Sequence, residues 1–167
     1  MEGMEIYIVT RQNGLYGDIT DTPVKAFETK KMAEMFAEAQ NSYFKHIMKA
    51  VDSLNERDIY YEDVIEKIYE CLLRDTNGKF LEDVREVWQN ADAAITDDEH
   101  EIITRYEDGL FNFTQDPDED FFKKYARELG YDDETIQTLL TAKPFCTEYN
   151  YDLPYYYVER PIELVKN

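Results

Sequence analysis

The chain has 167 residues, 43% hydrophobic and 14% aromatic, and its 37 Asp and Glu against 18 Lys and Arg leave a formal net charge of −19. That length and apolar share suit a single domain with a real core, and 14 Tyr, 9 Phe and 1 Trp interleaved with the acids exclude a solvating, disordered tail. The basic footprint that phosphate contacts require is missing, which argues against direct nucleic-acid binding, and an anionic membrane surface would repel the chain.

Glu5 to Arg11 is β-branched and aromatic and stops at Gln12-Asn13-Gly14, a strand closed by turn residues. A second extended piece runs from Ile19 to Phe27. Thr29 is the expected N-cap of a helix to about Leu54, with Met32, Phe36, Ala39, Tyr43, Ile47, Ala50 and Leu54 as its apolar stripe. Helices are expected over about 61–74, on Val64, Ile65, Ile68 and Leu72, and about 80–89, on Leu81, Val84, Val87 and Trp88. Asn77-Gly78 separates them.

Three further starts carry capping side chains. Thr96 pairs with Glu99, Asp116 precedes Pro117 at the first helical position with Glu119 three residues on, and Asp132 opens the last helix. Gly109 and Gly130 close the first two of these. Tyr155 to Leu164 reads as a strand whose end Pro161 confines to an edge or a bulge. The expected fold is α+β: a small antiparallel sheet formed by N- and C-terminal strands, with a helix-rich acidic middle. Within one domain spanning 1–167, residues 5–54 and 145–165 form the strand and helix scaffold, and 58–141 form a helical acidic insertion.

The charge is concentrated in that middle. Acids outnumber bases 7 to 6 over residues 1–50, 11 to 5 over 51–91, 15 to 4 over 92–134 and 4 to 3 over 135–167. Asp97, Asp98, Glu99, Asp116, Asp118, Glu119, Asp120, Asp132, Asp133 and Glu134 fall at expected helix starts, where unpaired N–H groups and the macrodipole favour negative charge. Capping thus explains 10 of the 15 acids between 92 and 134. It does not explain the shortage of bases at helix ends, where only Arg105, Lys123, Lys124 and Arg127 are on offer in that stretch. On the 61–74 helix, Glu62, Glu66 and Glu70 form one line at i, i+4 spacing, about 6 Å apart, with Asp63–Lys67 and Glu70–Arg74 offsetting part of the repulsion.

Carboxylates at such spacing on a rigid surface approach the pitch of nucleic-acid phosphates, and a Lys/Arg channel evolved for phosphates binds either. In size, acidity and aromatic content the chain resembles the acidic DNA-mimic inhibitors of phages and mobile elements, which include anti-restriction, anti-CRISPR and uracil-glycosylase inhibitors. The resemblance is one of composition, and it carries over no residue roles. Ile6 to Thr10 followed by Phe27 to Ala37 also looks like the strand-then-helix opening of many small phage accessory proteins. The resemblance implies a non-catalytic inhibitor in the bacterial cytoplasm, phage-encoded, that occupies the basic DNA- or RNA-binding channel of a nuclease or CRISPR effector. The candidate contact residues are Glu62, Glu66, Glu70, Asp97, Asp98, Glu101, Asp118, Asp120, Asp132 and Asp133. The alternative is an acidic accessory protein that binds a partner through its aromatic C-terminal region, where residues 145–157 hold six aromatics and form a candidate homodimer contact.

Catalytic and metal motifs fail on spacing. Anchoring a calcium loop on Asp116 puts Phe121 and Arg127 where Gly and Glu belong, and anchoring on Asp75 puts Phe80 and Glu86 there. His46 and His100 belong to no H-E-x-x-H pattern, and Ser42 and Ser53 lie in expected helix without a nucleophile turn. Cys71 and Cys146 fit no zinc or C-x-x-C spacing and read as reduced core residues. No cofactor, metal site, membrane span or enzymatic activity is expected. Self-repulsion at this net charge weakens as salt screens it, so the melting temperature should rise with moderate ionic strength; a thermal melt series in sodium chloride checks this.

Overall fold

Ile6 to Thr10 alternate across a pleat, and β1 (Met4–Asn13) forms around them with β2 (Thr20–Phe27) antiparallel on one edge. The computed structural model describes residues 3–14, 19–90 and 94–164, and Val165, where the expected C-terminal scaffold segment ends, lies outside them. The pairing shifts between Val9, opposite Lys25, and Thr10, opposite Pro23, so Val24 is the extra residue of a bulge. Pro23 lacks a ladder N–H and is tolerated because β2 is an edge strand.

The single expected C-terminal strand is two. β3 (Tyr155–Val158) pairs with Gln12 to Val9, and β4 (Ile162–Leu164) pairs with Ile6 to Met4, both antiparallel on the other edge of β1. Glu159, Arg160 and Pro161 stand opposite only Ile8 and Tyr7, so the bulge expected at Pro161 divides the strand. Both chain ends therefore meet in one antiparallel sheet, and with five helices among the described residues the fold is α+β.

Helix α1 (Lys30–Glu56) starts as expected, with Thr29 Oγ1 accepting from the Met32 N–H at 3.3 Å. Its buried stripe is rotated by one residue in the first half. Ala33 and Ala37 face the sheet at Val9, while Met32, Ala39 and Tyr43 are exposed. Two alanines let the helix backbone approach the strands, which the larger Met32 and Tyr43 would hold off. Asn41 ties the layers together: its amide donates to the Tyr156 carbonyl and accepts from the Tyr156 N–H, both at 2.8 Å.

The end of α1 is a Schellman turn without glycine. Asp58, at φ 54°, donates to Asn55 O, and Ile59 donates to Leu54 O at 2.9 Å. Helix α2 (Tyr61–Gln89) is two helical segments that meet at Asn77, whose φ of −153° and ψ of 63° are not helical. Asn77 Oδ1 accepts from the Phe80 N–H and recaps the second segment, so the two helices expected here are separated at Asn77, by a kink and not by a loop. The first segment contributes to two clusters, Tyr69 and Leu73 packing with the second segment. Val64, Ile65 and Ile68 join Ile47, Phe122 and Leu139 in the main core, whereas Phe80, Leu81 and Val84 form a second cluster with Tyr106.

Helix α3 (Asp97–Gln115) passes through Gly109 rather than ending there. A Cβ on Gly109 would collide with the Tyr69 hydroxyl, so this glycine serves close helix packing and not termination. Helix α4 (Glu119–Glu128) is capped by Asp118, not Asp116: Asp118 Oδ1 accepts from the Phe121 N–H at 3.1 Å, and Asp116 instead closes α3. This start places Phe122, Tyr125 and Ala126 on the core face. Gly130, at φ 96°, ends α4 as expected, and α5 (Asp133–Thr147) opens on Asp132 and runs through Pro144. Residues 145–147, assigned by sequence to the scaffold, are its last turn.

Candidate acidic binding surface

The ten expected contact residues fall at four places. Glu62, Glu66 and Glu70 lie on α2, Asp97, Asp98 and Glu101 on α3, Asp118 and Asp120 at the start of α4, and Asp132 and Asp133 at the start of α5. Nine of the ten acids assigned to helix starts are caps or first-turn residues; Asp116, at the end of α3, is the exception.

The α2 row makes contacts within the protein, although Glu62 itself is exposed. Glu66 and Glu70 are half-buried, with the Tyr106 hydroxyl 3.5 Å from Glu66 Oε1 and Arg85 Nη2 3.9 Å from Glu70 Oε2. Glu62 faces the Cys146 thiol. Burial, and then that carboxylate, push the Cys146 pKa up to about 12. Burial also raises the Tyr106 phenol well above its ordinary value, with Glu70 and Glu66 adding to the effect. The expected Glu70–Arg74 pair does not form. Arg74 reaches Asp75 at 3.0 Å and Glu128 at 2.7 Å, joining α2 to α4.

The α5 start is also partly neutralised. Asp132 Oδ1 accepts from the Thr135 N–H at 2.7 Å, Arg57 donates to Thr135 Oγ1 at 2.8 Å, and Arg127 pairs with Asp133 at 3.0 Å. The Thr135 hydroxyl, then its backbone N–H, hold the Asp132 carboxyl below its ordinary pKa, and Arg74, then the Tyr125 hydroxyl, do the same for Asp75. A carboxylate with a depressed native pKa binds fewer protons folded than unfolded. Its contribution is present above the unfolded value of about 4 and is lost as pH falls through the native value. Thermal melts from pH 6 to pH 3 should therefore show a steepening loss below about pH 4, and an Asp75→Asn, Asp132→Asn variant should start less stable and lose less over that range.

That leaves Asp97, Asp98, Glu101 and Asp120 exposed, with no ion pair and no side-chain hydrogen bond among the described residues. Helix α3 is the sparsest in positive charge. Its one base, Arg105, places its guanidinium 4.5 Å from the Phe80 ring centre and not on a carboxylate. Among the five helices only α4, with Arg127, has a base in its last turn. The shortage of bases is thus local as well as compositional. Only Tyr106 of α3 is buried, so most of this helix stands in solvent.

The C-terminal aromatics are divided by strand alternation. Tyr156 packs inward, stacked on Phe44 at 6.1 Å and edge-on to Phe36 at 6.3 Å, whereas Tyr155 is 57% exposed. Burial, and then the nearby Asp21 carboxylate, raise the Tyr157 phenol above its ordinary value. Among the described residues no three His, Cys, Asp or Glu side chains are arranged to hold a metal ion, and no helix is long and apolar enough to cross a membrane. Cys71 is buried and Cys146 half-buried, both as free thiols. No protein-family model, curated protein or solved structure matches the chain.

Proposed function

We propose that the protein is a non-catalytic inhibitor whose acidic surface occupies the basic nucleic-acid channel of a DNA- or RNA-processing protein, in the manner of the anti-restriction and anti-CRISPR DNA mimics. The observation that carries this reading is the unneutralised, solvent-facing start of α3. Asp97, Asp98 and Glu101 stand there without a partner among the described residues, and the only base on the helix is turned onto an aromatic ring. Asp97 and Glu101 are one helical turn apart, about 6 Å along the axis, and Asp108 lies about 10 Å further on. Such a row attracts a lysine- and arginine-lined groove and speeds encounter with it.

The test is an affinity pull-down with the full chain from bacterial lysate at low and high salt. Recovery of nucleic-acid-binding proteins that elute with salt and compete with added DNA or RNA supports the reading. Capture that ignores both salt and nucleic acid opposes it. A second reading draws on exposed Tyr155, which borders a groove of about 570 Å3 with Met48, Leu153 and Pro154. There the contact would be aromatic, and Tyr155→Ala would weaken capture more than any change of charge.

A further inference from the structure

Where α1 ends, α2 begins and α5 ends, the chain forms a half-open cavity of about 180 Å3. Tyr60, Tyr61, Phe145 and Tyr151 supply four aromatic rings to its wall. The Phe145 and Tyr151 rings are perpendicular, at 89° and 5.3 Å between centres. Holding Tyr151 there bends the backbone against its preference: Asn150 and Tyr151 have φ of 49° and 71°, and the Tyr151 N–H bonds Phe145 O at 2.7 Å. A positive φ is unusual for a bulky residue and persists only where surrounding contacts enforce it.

The polar groups of the cavity share one electrostatic character. Tyr61 is 3% exposed, and its hydroxyl has no hydrogen-bond partner among the described residues. Glu62 lies at the wall beside Cys146, and Asn55 adds an amide. Among the described residues no lysine or arginine lines the cavity. A buried hydroxyl without a partner is costly, and one that accepts from a ligand removes that cost. Aromatic faces, a carboxylate and unused acceptors together favour a cation that carries several N–H donors and repel an anion. Guanidinium suits the site better than ammonium because it is planar, weakly hydrated and stacks on rings. A dry cavity of about 150 Å3 holds a benzene ring, so the volume fits a guanidinium with adjoining methylenes.

We propose that this cavity receives an arginine side chain of the basic partner, with the guanidinium against the Tyr151 and Phe145 rings and its N–H groups donating to Tyr61 Oη and the Glu62 carboxylate. The inference rests on the proposed function, since an acidic inhibitor of a nucleic-acid-binding protein meets a surface rich in arginine. It converts Glu62 from one member of a charged row into the acceptor of a specific contact.

The test titrates the full chain, followed by amide NMR shifts, with N-acetylarginine amide and with the neutral isostere N-acetylcitrulline amide. Saturable shifts confined to residues around Tyr61, Phe145 and Tyr151 are expected with the arginine probe. The citrulline probe, the lysine counterpart and the Glu62→Gln and Tyr61→Phe variants should each weaken binding by about tenfold or more. Tyr61→Phe removes only a hydroxyl without a partner, so the fold survives it. Equal binding of the citrulline or lysine probe, indifference to Glu62→Gln, or shifts scattered over the acidic helices would overturn the proposal. Because no macromolecular partner is present, failure here leaves the α3 surface reading standing, and failure of that reading in the pull-down leaves this result standing.

Discussion

Tyr106→Ala should release α3 from the protein at a cost of about 3–5 kcal/mol, the range for deleting a large buried aromatic side chain. Tyr106 is 1% exposed, is the one buried residue of α3, and wedges between Trp88 at 5.0 Å and Tyr69 at 5.4 Å. Its neighbours on α3, Ile102, Ile103, Leu110 and Phe113, are only partly buried, so nothing replaces it as an anchor. The main core is formed by other residues, on α1, α2, α4 and α5, which makes the loss largely local. Hydrogen exchange should show α3 amides losing protection while those of α1 and α5 keep most of theirs. An even loss over all helices would show instead that α3 and the main core unfold as one unit. Tyr106→Phe is the control. The hydroxyl sits 3.5 Å from Glu66, at the limit of a hydrogen bond, so its removal should cost less than about 1 kcal/mol.

Reversing Asp97, Asp98, Glu101 and Asp120 to Lys should slow association with the captured partner by about tenfold to a thousandfold at low salt, the range that electrostatic steering commands. Each reversal adds two charge units, which takes the formal net charge from −19 to −11. None of the four side chains holds an ion pair or a side-chain hydrogen bond among the described residues, so the fold should survive. Lysine at a helix start opposes the macrodipole, and the matching Asn and Gln substitutions separate that effect from loss of attraction. They should give an intermediate rate. Surface plasmon resonance over a salt series reads both rate and salt slope, and a reversed variant that keeps both would end the mimicry reading.

Local chemistry was readable from the chain, and spatial neighbours were not. Thr29, Thr96 and Asp132 announce their helices because a cap acts on N–H groups two or three residues away. Pro161 announces its bulge for the same reason, since proline removes its own donor. Gly109 misleads, because a glycine that admits the Tyr69 hydroxyl looks no different in sequence from one that ends a helix. The α1 stripe is offset because apolar spacing fits Met32 and Tyr43 as well as Ala33 and Ala37, and only the sheet opposite selects the small pair. The site follows the same division. Helix-start acids were legible, while the engagement of Glu62, Glu66 and Glu70 was not, because Cys146, Tyr106 and Arg85 reach them only through tertiary packing.

The two bonds from Asn41 occupy the outward N–H and C=O of Tyr156, inside β3, which another strand would need for pairing. On that side a side chain interrupts the border, and β4 beside it is only three residues long. At the far side β2 ends the sheet with Pro23 and a bulge at Val24, and Asp21 and Lys25 add charge. Neither border is a good template for strand addition. Resistance of the tyrosine-rich C-terminal strand to edge-to-edge pairing therefore has a source in hydrogen bonding and strand shape that salt does not screen.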